Sequence, residues 1–171
     1  MSKKPQRGFS LVEILISVLV ISFGLLSLAG LQVTSVKGVN NAHSQNIASM
    51  LTMELSERMR ANPQGVAQGY YGTSIDCAAS LDQCRGDKVC SAEQTALFDL
   101  QEVMCGTTIN GTSQGGARNL LPQGSLSVVC AGGCDQADIA HRITVSWSNN
   151  IVHESQGEAS EISTLITAII P

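Results

Sequence analysis

The sequence predicts an α+β protein in which a long N-terminal α-helix packs on a small antiparallel β-sheet, with one short second helix. Three observations carry this prediction. An apolar run near the N-terminus leads into a helical pattern, β-strand patterns occupy the last third of the chain, and all the cysteines lie beyond the apolar run. With 171 residues, the chain is long enough for one globular head in addition to a membrane segment.

The first element is an apolar segment that runs from Phe9 to Leu31, and Glu13 is its only formal charge. Its 23 residues would form a helix about 34 Å long, enough to cross a hydrocarbon core of about 30 Å. Because Lys3, Lys4 and Arg7 precede it, the positive-inside rule predicts a cytoplasmic N-terminus and a single crossing. The predicted transmembrane residues include Phe9, Leu11, Ile14, Val18, Ile21, Gly24, Leu25, Leu28 and Leu31.

The helix is expected to continue beyond the membrane. No proline occurs between Pro5 and Pro63, and an apolar stripe recurs every four residues. The stripe consists of Ile47, Leu51, Leu55 and Met59. Because Asn62 precedes Pro63, the sequence predicts that the helix ends at Asn62. Glycines at positions 24, 30 and 38 are weak points, since each costs about 1 kcal/mol relative to alanine in a helix interior.

The head begins with a predicted connecting loop over Pro63 to Leu81, which has no sustained period. A second helix is predicted over Ser91 to Met104, because Ser91 and Gln94 form a capping box and Gly106 supplies a stop. Its packed face is expected to carry Leu97, Leu100 and Met104. The stretch Thr107 to Gln123 predicts a surface loop, with a turn at Asn110-Gly111-Thr112.

Three β-strands are predicted after that loop. They cover Ser125 to Cys130, Arg142 to Ser148 and Ile162 to Ile170. The middle strand alternates, which places Ile143, Val145 and Trp147 on one face and Arg142, Thr144, Ser146 and Ser148 on the other. Asn149-Asn150 marks a turn before a possible short strand at Ile151 to His153. Such a sheet can bury its apolar face on the second half of the long helix.

The six cysteines are disulfide candidates, because they are even in number and lie in one compartment. They are Cys77, Cys84, Cys90, Cys105, Cys130 and Cys134. The pairing stays open, although local pairs within Cys77 to Cys90 and across Cys130 to Cys134 have the lowest loop-closure cost. Zinc is the alternative, but the spacings of six, five and three residues lack the usual C-x2-C knuckle. No metal and no cofactor are expected.

Charge and residue spacing argue against nucleic-acid binding and catalysis. Without the three basic residues of the leader, 7 basic residues face 14 acidic ones, a formal balance of −7. Phosphate binding needs a basic surface, so nucleic acid is not an expected partner. None of His43, His141 and His153 has the spacing of a catalytic or metal-binding residue, and each is expected on the surface.

Two acidic and two basic residues near the end of the long helix are expected to form solvated ion pairs rather than a site. They are Glu54, Glu57, Arg58 and Arg60. The sequence therefore predicts no enzyme.

Glu13 needs an explanation, because a carboxylate in lipid costs about 2.5 to 3.5 kcal/mol on insertion scales. Cleavage between Gly8 and Phe9 would create an α-amino group one helical turn away, and a neighbouring copy could offer the same amine. Opposite charges about 4 Å apart at an effective dielectric constant near 20 attract by about 4 kcal/mol. This attraction would offset the desolvation and fix the axial register of neighbouring helices.

The stretch Arg7-Gly8-Phe9-Ser10-Leu11-Val12-Glu13, followed by an apolar helix, resembles the class III signal of type IV pilins and pseudopilins. The resemblance implies a pilin-like fold, cleavage after Gly8 by prepilin peptidase, N-methylation of Phe9, and pairing of Glu13 with the amine of a neighbouring subunit. It divides the chain into a leader (1–8), a transmembrane and assembly helix (9–31), the periplasmic half of the helix (32–62) and a disulfide-containing head (63–171).

A narrower resemblance is to the PilV group of minor pilins, known as type IV pilus modification proteins. It rests on Gly24 to Gln32, on Leu55 to Pro63 and on the strands predicted from Ser125 and Arg142. It implies a subunit of the priming or tip complex, held in the bacterial inner membrane and then in the pilus. The implied partners are other minor and major pilins, prepilin peptidase and the inner-membrane assembly platform. The chain departs from the usual pilin pattern in two ways. It has Gly30 where many major pilins have proline, and it has more cysteines than the usual single C-terminal disulfide loop.

Three alternatives stay open. The first is a minor pseudopilin of a type II secretion system. The second is a secreted, disulfide-rich binding domain or adhesin, released by cleavage between Ala29 and Gly30 of an ordinary signal peptide. The third is a plain membrane anchor that does not assemble.

Overall fold

The computed structural model describes residues 10–78, 84–109, 111–130, 140–148 and 162–169. The predicted α+β architecture is confirmed. In chain order, the elements are α1 (Leu11–Ala61), α2 (Pro63–Ala67), a 3-10 helix (Tyr70–Gly72), α3 (Ala92–Cys105), β1 (Thr107–Ile109), β2 (Thr112–Gln114), α4 (Gly116–Leu120), β3 (Ser125–Cys130), β4 (His141–Ser148) and β5 (Ile162–Ile169). The chain divides into two compact units, Met1–Asn41 and Ala42–Pro171, and α1 contributes to both.

The long helix α1 extends without interruption from Leu11 to Ala61, through all three of its glycines. The prediction of a helix ending at Asn62 is confirmed to within one residue, while Phe9 lies outside the described residues. Asn62 ends α1 and starts α2, because its side-chain oxygen accepts a hydrogen bond from the Gly65 amide at 3.1 Å. Pro63 follows at the first helical position, where a missing N–H is harmless.

The core of the second unit forms where the end of α1, helix α3 and strand β4 meet. The predicted stripe on α1 is buried at Leu51, Leu55 and Met59, and Ile47 is half-buried. The other core residues include Ala48, Val66, Tyr71, Ala96, Leu100, Val103, Val128, Ile143, Val145 and Trp147. Each large apolar side chain buried in this way contributes about 1.5 to 3 kcal/mol of transfer free energy.

The main sheet is antiparallel, with the strand order β3-β4-β5. All three strand predictions are confirmed, although β4 begins one residue earlier than predicted and β5 ends at Ile169. Ile143, Val145 and Trp147 are buried, as the alternation predicts. Ser148, which the alternation places on the opposite face, is also buried, and its N–H donates to the carbonyl oxygen of Pro122 at 2.9 Å. The predicted turn at Asn149-Asn150 and the strand at Ile151 to His153 lie outside the described residues.

Two loop predictions are wrong. The stretch from Pro63 to Leu81 contains α2 and the 3-10 helix, and it places Val66 and Tyr71 in the core. These helices have only five and three residues, which is too short for a helical hydrophobic period, so the sequence pattern did not predict them. The stretch from Thr107 to Gln123 contains the hairpin of β1 and β2, followed by α4.

The β1–β2 hairpin has a short turn at its tip and two glycines, Gly106 and Gly116, at its base. Ile109 pairs with Thr112 and Gly111 has a φ of 77°, while Asn110 of the predicted turn at Asn110-Gly111-Thr112 lies outside the described residues. At the hairpin base, Gly106 has a φ of 77°, and a side chain there would collide with the backbone of Gln114. Gly116 has a φ of 73°, and a side chain there would collide with the backbone of Gly106. Only glycine therefore fits at these two positions.

Helix α3 begins and ends as predicted. Ser91 Oγ accepts from the Gln94 amide at 3.2 Å, and Gln94 Oε1 accepts from the Ser91 amide at 2.9 Å, which completes the capping box. Of the predicted packed face, Leu100 is buried and the half-buried Met104 packs against the core, whereas Leu97 is half-buried and is not part of that cluster. The buried face instead follows Ala96, Leu100 and Val103, and it also contains the polar Asp99.

Two disulfides link Cys77 to Cys105 and Cys84 to Cys90. Cys130 is also disulfide-bonded, and Cys134 lies outside the described residues. The pair Cys84–Cys90 is one of the local pairs that loop closure favours. Cys77 instead pairs across a separation of 28 residues. Folding brings it there, because the short helices between Pro63 and Gly72 pack on α3.

Candidate functional site

The N-terminal end of α1 presents an exposed carboxylate. Glu13 lies in the first turn, where its amide donates to the Ser10 carbonyl oxygen at 3.0 Å. The helix dipole favours a negative charge at this end. Among the residues that the structure describes, none forms a hydrogen bond or an ion pair with the Glu13 side chain. Its charge is therefore available to a partner outside the described part of the chain.

The other polar side chains between Leu11 and Leu31 are satisfied inside the helix. The hydroxyls of Ser17, Ser22 and Ser27 each donate to the carbonyl oxygen four residues earlier, at 2.7, 2.7 and 2.9 Å. These serines can face lipid or another helix without an unsatisfied polar atom. Glu13 is thus the one side chain of this stretch whose polar atoms need a partner from elsewhere.

The surface of the same stretch is apolar and uncovered. Its large apolar side chains are between 51 % exposed at Leu19 and 86 % exposed at Leu11. The best 18-residue window has a mean hydropathy of 2.6, and the helix is long and apolar enough for one membrane crossing. An apolar surface of this extent marks a site of membrane or protein contact.

Two glycines in this region have no packing reason within the described chain. A Cβ atom at Gly24 or at Gly30 would meet nothing within 4 Å. Each glycine nevertheless costs about 1 kcal/mol relative to alanine in a helix interior. Small residues of this kind allow close approach between helices in membranes.

The head contains a polar network around Arg58, whose side chain is 29 % exposed. Its guanidinium donates to Asp99 at 3.1 Å, to Glu102 at 2.9 Å and to Glu54 at 2.7 Å. The hydroxyl of the buried Tyr71 donates to the other oxygen of Asp99 at 2.7 Å. The network therefore joins the end of α1 to the 3-10 helix and to α3.

Protonation in the network is fixed near neutral pH. Burial, followed by the hydrogen bond to Asp99, raises the pKa of Tyr71 far above its usual value, so the phenol stays a donor. Burial alone would lower the pKa of Arg58, but hydrogen bonds to Glu54 and Asp99 and their charges outweigh it, so that pKa is raised. Arg58 remains a cation among three carboxylates.

A cleft of about 550 Å³ lies beside the Cys77–Cys105 disulfide. Its lining includes Arg85, Phe98 and Arg118, with amide and hydroxyl side chains between them. In the part of the chain that the structure describes, no group of three or more His, Cys, Asp or Glu side chains could hold a metal ion.

Two family models match the sequence and adjoin each other. The prokaryotic N-terminal methylation motif matches residues 3–29, and the Tt1218-like model, described as type IV pilin Tt1218, matches residues 30–101. The chain belongs to the type IV pilin-like proteins. No individual characterised protein and no solved structure matches it. A pilin with this motif is processed by prepilin peptidase and assembles with other pilins.

The two matches cover different features of this pilin. The methylation motif covers the apolar stretch with Glu13 and the back-bonded serines. The Tt1218-like match runs from Gly30 to Gln101, through α2 and the 3-10 helix and into α3, and so includes Arg58, Tyr71 and Asp99 of the network.

The predicted site residues of the pilin that fall in the described chain lie on α1. Glu13 is exposed in its first turn, and the predicted transmembrane positions from Leu11 to Leu31 are all exposed. Gly8 and Phe9, the predicted processing residues, lie outside the described residues. The proposed pairing of Glu13 with an amine of Phe9 therefore stays a prediction.

Two expectations about side chains of the head are wrong. His141 is completely buried at the start of β4, whereas His43 is exposed as expected and His153 lies outside the described residues. The expected pair of Arg58 with Glu54 is present, with 2.7 Å between its charged atoms, but Arg58 is only 29 % exposed and is also the centre of the network, because folding brings α3 beside it. The neighbouring pair of Glu57 and Arg60 is exposed, as expected, with 2.6 Å between its charged atoms.

One feature of the sequence indicates that Arg58 could belong to such a network. Arg58 directly precedes Met59 of the buried stripe, so it lies at the border of the packed face. Its partner Asp99 lies 41 residues further along the chain, where no local pattern links the two.

Proposed function

We propose that this protein is a minor pilin of the PilV type, a structural subunit of the priming or tip complex of the type IV pilus. Prepilin peptidase would remove residues 1–8 and methylate Phe9. Residues 9–31 would then hold the protein in the inner membrane, with residues 32–62 and the head (63–171) in the periplasm. Assembly would follow through contacts of the N-terminal helix with other minor and major pilins on the inner-membrane platform.

The observation that carries the proposal is the isolated charge of Glu13. Every other polar side chain between Leu11 and Leu31 is satisfied by the helix itself. A plain membrane anchor gains nothing from a carboxylate that costs about 2.5 to 3.5 kcal/mol in lipid. A subunit that pairs this carboxylate with a neighbour's amine recovers about 4 kcal/mol and gains a defined register.

During assembly, the helix would replace its contacts with lipid by contacts with other helices. Lipid is as apolar as leucine, so this step has no hydrophobic driving force and needs a second source of free energy. Close packing at small residues can supply it. The candidates are Ser17, Ser22, Gly24, Ser27 and Gly30. The open space around the two glycines supports this role.

The first experiment identifies the mature N-terminus by mass spectrometry of the protein from its native host. We expect N-methylated Phe9. A chain that begins at Gly30 would contradict the proposal and favour the secreted domain. A deletion strain then separates the two assembly systems: loss of pili supports the pilus, and loss of protein secretion with normal pili supports the pseudopilin.

The second experiment replaces Glu13 by alanine. We expect normal cleavage and membrane retention but at least tenfold less of the variant in sheared pili, since a loss of about 1.4 kcal/mol already gives a factor of ten. Glu57→Ala, on the exposed face of the same helix, is the control and should enter pili normally. Equal incorporation of Glu13→Ala and wild type would refute the assembly role.

A further inference from the structure

A five-residue loop of the head is closed on itself by the Cys84–Cys90 disulfide. Its sequence is Arg85-Gly86-Asp87-Lys88-Val89, and all five residues are exposed, with Val89 at 95 %. This disulfide shapes the loop rather than tying it to the core. A rigid loop on the surface of a stable scaffold is a common place for a binding site.

The centre of the loop presents a carboxylate. Gly86 has a φ of 66°, and a Cβ atom there would meet nothing within 4 Å, so the backbone conformation rather than packing explains the glycine. Asp87 follows directly and is exposed. Within the described chain, no residue forms a hydrogen bond or an ion pair with its side chain.

The arginine of the loop rests on the head. Its guanidinium pairs with Glu102, donates to the Thr107 hydroxyl at 2.9 Å and lies over the Phe98 ring, 5.5 Å from the centroid. The side chain of Arg85 is still 48 % exposed. Glu102 also pairs with Arg58 at 2.9 Å, so its charge stays compensated when another carboxylate takes its place beside the exposed part of Arg85.

We infer that the loop from Cys84 to Cys90 is an adhesive site for a receptor protein that holds a divalent cation beside an acidic pocket. The carboxylate of Asp87 would complete the coordination of the receptor's cation, since such cations prefer carboxylate oxygens. Arg85 would exchange Glu102 for a carboxylate of the receptor, in the bidentate geometry that guanidinium favours. Ring closure lowers the ordering cost of binding.

A cyclic Arg-Gly-Asp segment fits the receptors that read this tripeptide through a metal ion, namely the RGD-binding integrins. The inference adds a binding activity to a structural subunit. It rests on the proposed function, because the pilus would carry the head outside the cell, whereas the binding measurement below tests the loop by itself.

The experiment measures binding of the full chain, immobilised in detergent micelles, to the ectodomain of an RGD-binding integrin with Mg²⁺. We expect saturable binding in the micromolar range or tighter, and its loss when EDTA removes the cation. Asp87→Glu keeps the charge but misplaces the carboxylate, and should weaken binding at least about 30-fold. Glu93→Asp, an exposed acid on α3 outside the loop, is the control and should bind as wild type.

Two further variants test the parts of the site. Cys84→Ser combined with Cys90→Ser keeps the tripeptide but opens the ring, and should weaken binding about tenfold. Glu102→Gln releases Arg85 and should strengthen binding up to about fivefold. Absence of binding by wild type, insensitivity to EDTA or equal binding by Asp87→Glu overturns the inference. Undiminished binding by the opened ring overturns the role of the disulfide, and unchanged binding by Glu102→Gln overturns the exchange at Arg85.

Discussion

Replacing Arg58 by methionine should destabilise the head far more than the same change two residues away. Arg58 donates to Asp99 and Glu102, whose side chains are only 9 % and 13 % exposed. Two hydrogen bonds to charged groups are worth about 3 to 6 kcal/mol together. In the variant, Tyr71 would still donate to Asp99 and Arg85 would still pair with Glu102. We therefore expect the free energy of unfolding to fall by about 2 to 4 kcal/mol.

Arg60 provides the matched control. It pairs with Glu57 three residues earlier, and the two side chains are 58 % and 68 % exposed. Exposed helical pairs contribute about 0.2 to 0.5 kcal/mol, so Arg60→Met should be nearly neutral. The two substitutions have the same chemistry on the same helix and differ only in their surroundings.

The assay is urea unfolding of the full chain in micelles, with the disulfides intact, followed by the fluorescence of Trp147. This side chain is the single tryptophan of the sequence and lies in the core, so it reports on the head alone. With a slope of about 1.5 kcal/mol per molar urea, Arg58→Met should lower the midpoint by about 1.3 to 2.7 M. A double-mutant cycle with Asp99→Asn should give a coupling of about 1 to 2 kcal/mol. Equal midpoints for Arg58→Met and Arg60→Met, or no coupling with Asp99, would refute the reasoning.

Two other predictions concern the same head. The folded-state pKa of Tyr71 is raised, so its contribution is fully present below the unfolded value of about 10 and is lost as pH rises through the folded pKa. Unfolding free energies measured from pH 8 to pH 11 should therefore fall more steeply for wild type than for Tyr71→Phe, and parallel curves would contradict this. Loop entropy predicts that loss of Cys77–Cys105, with a separation of 28, costs about 3.6 kcal/mol, and loss of Cys84–Cys90, with a separation of 6, about 2.2 kcal/mol. Urea midpoints of the paired serine variants test this order, and a reversed order would show that the entropic account fails.

Elements with local signals were predictable from the sequence. The capping box of Ser91 and Gln94 and the stop at Gly106 predicted the two ends of α3. Both signals are local, because Ser91 bonds to Gln94 and the Gly106 amide donates to the Glu102 carbonyl oxygen. The alternation around Ile143 and Val145 identified β4 and its buried face. At the membrane end, the position of Glu13 within the apolar run can be recognised from the residues alone, because helix periodicity is itself local.

Features that depend on distant partners were not predictable. Cys77 meets Cys105 only after α2 and the 3-10 helix have packed on α3. Tyr71 looked like part of a loop because the three-residue helix around it has no period, yet it is completely buried. No sequence pattern marks Asp99 as buried, and the opposing Arg58 and Tyr71 make its burial favourable.

The glycine contact at the base of the hairpin has a practical consequence. Gly106 and Gly116 meet backbone to backbone, so the two ends of the segment between them are pinned together without any side chain. At the tip of that segment, Ile109 pairs with Thr112, and both residues are exposed. A short epitope or fluorophore tag grafted at this tip would leave the core undisturbed, which offers a way to follow the subunit in living cells.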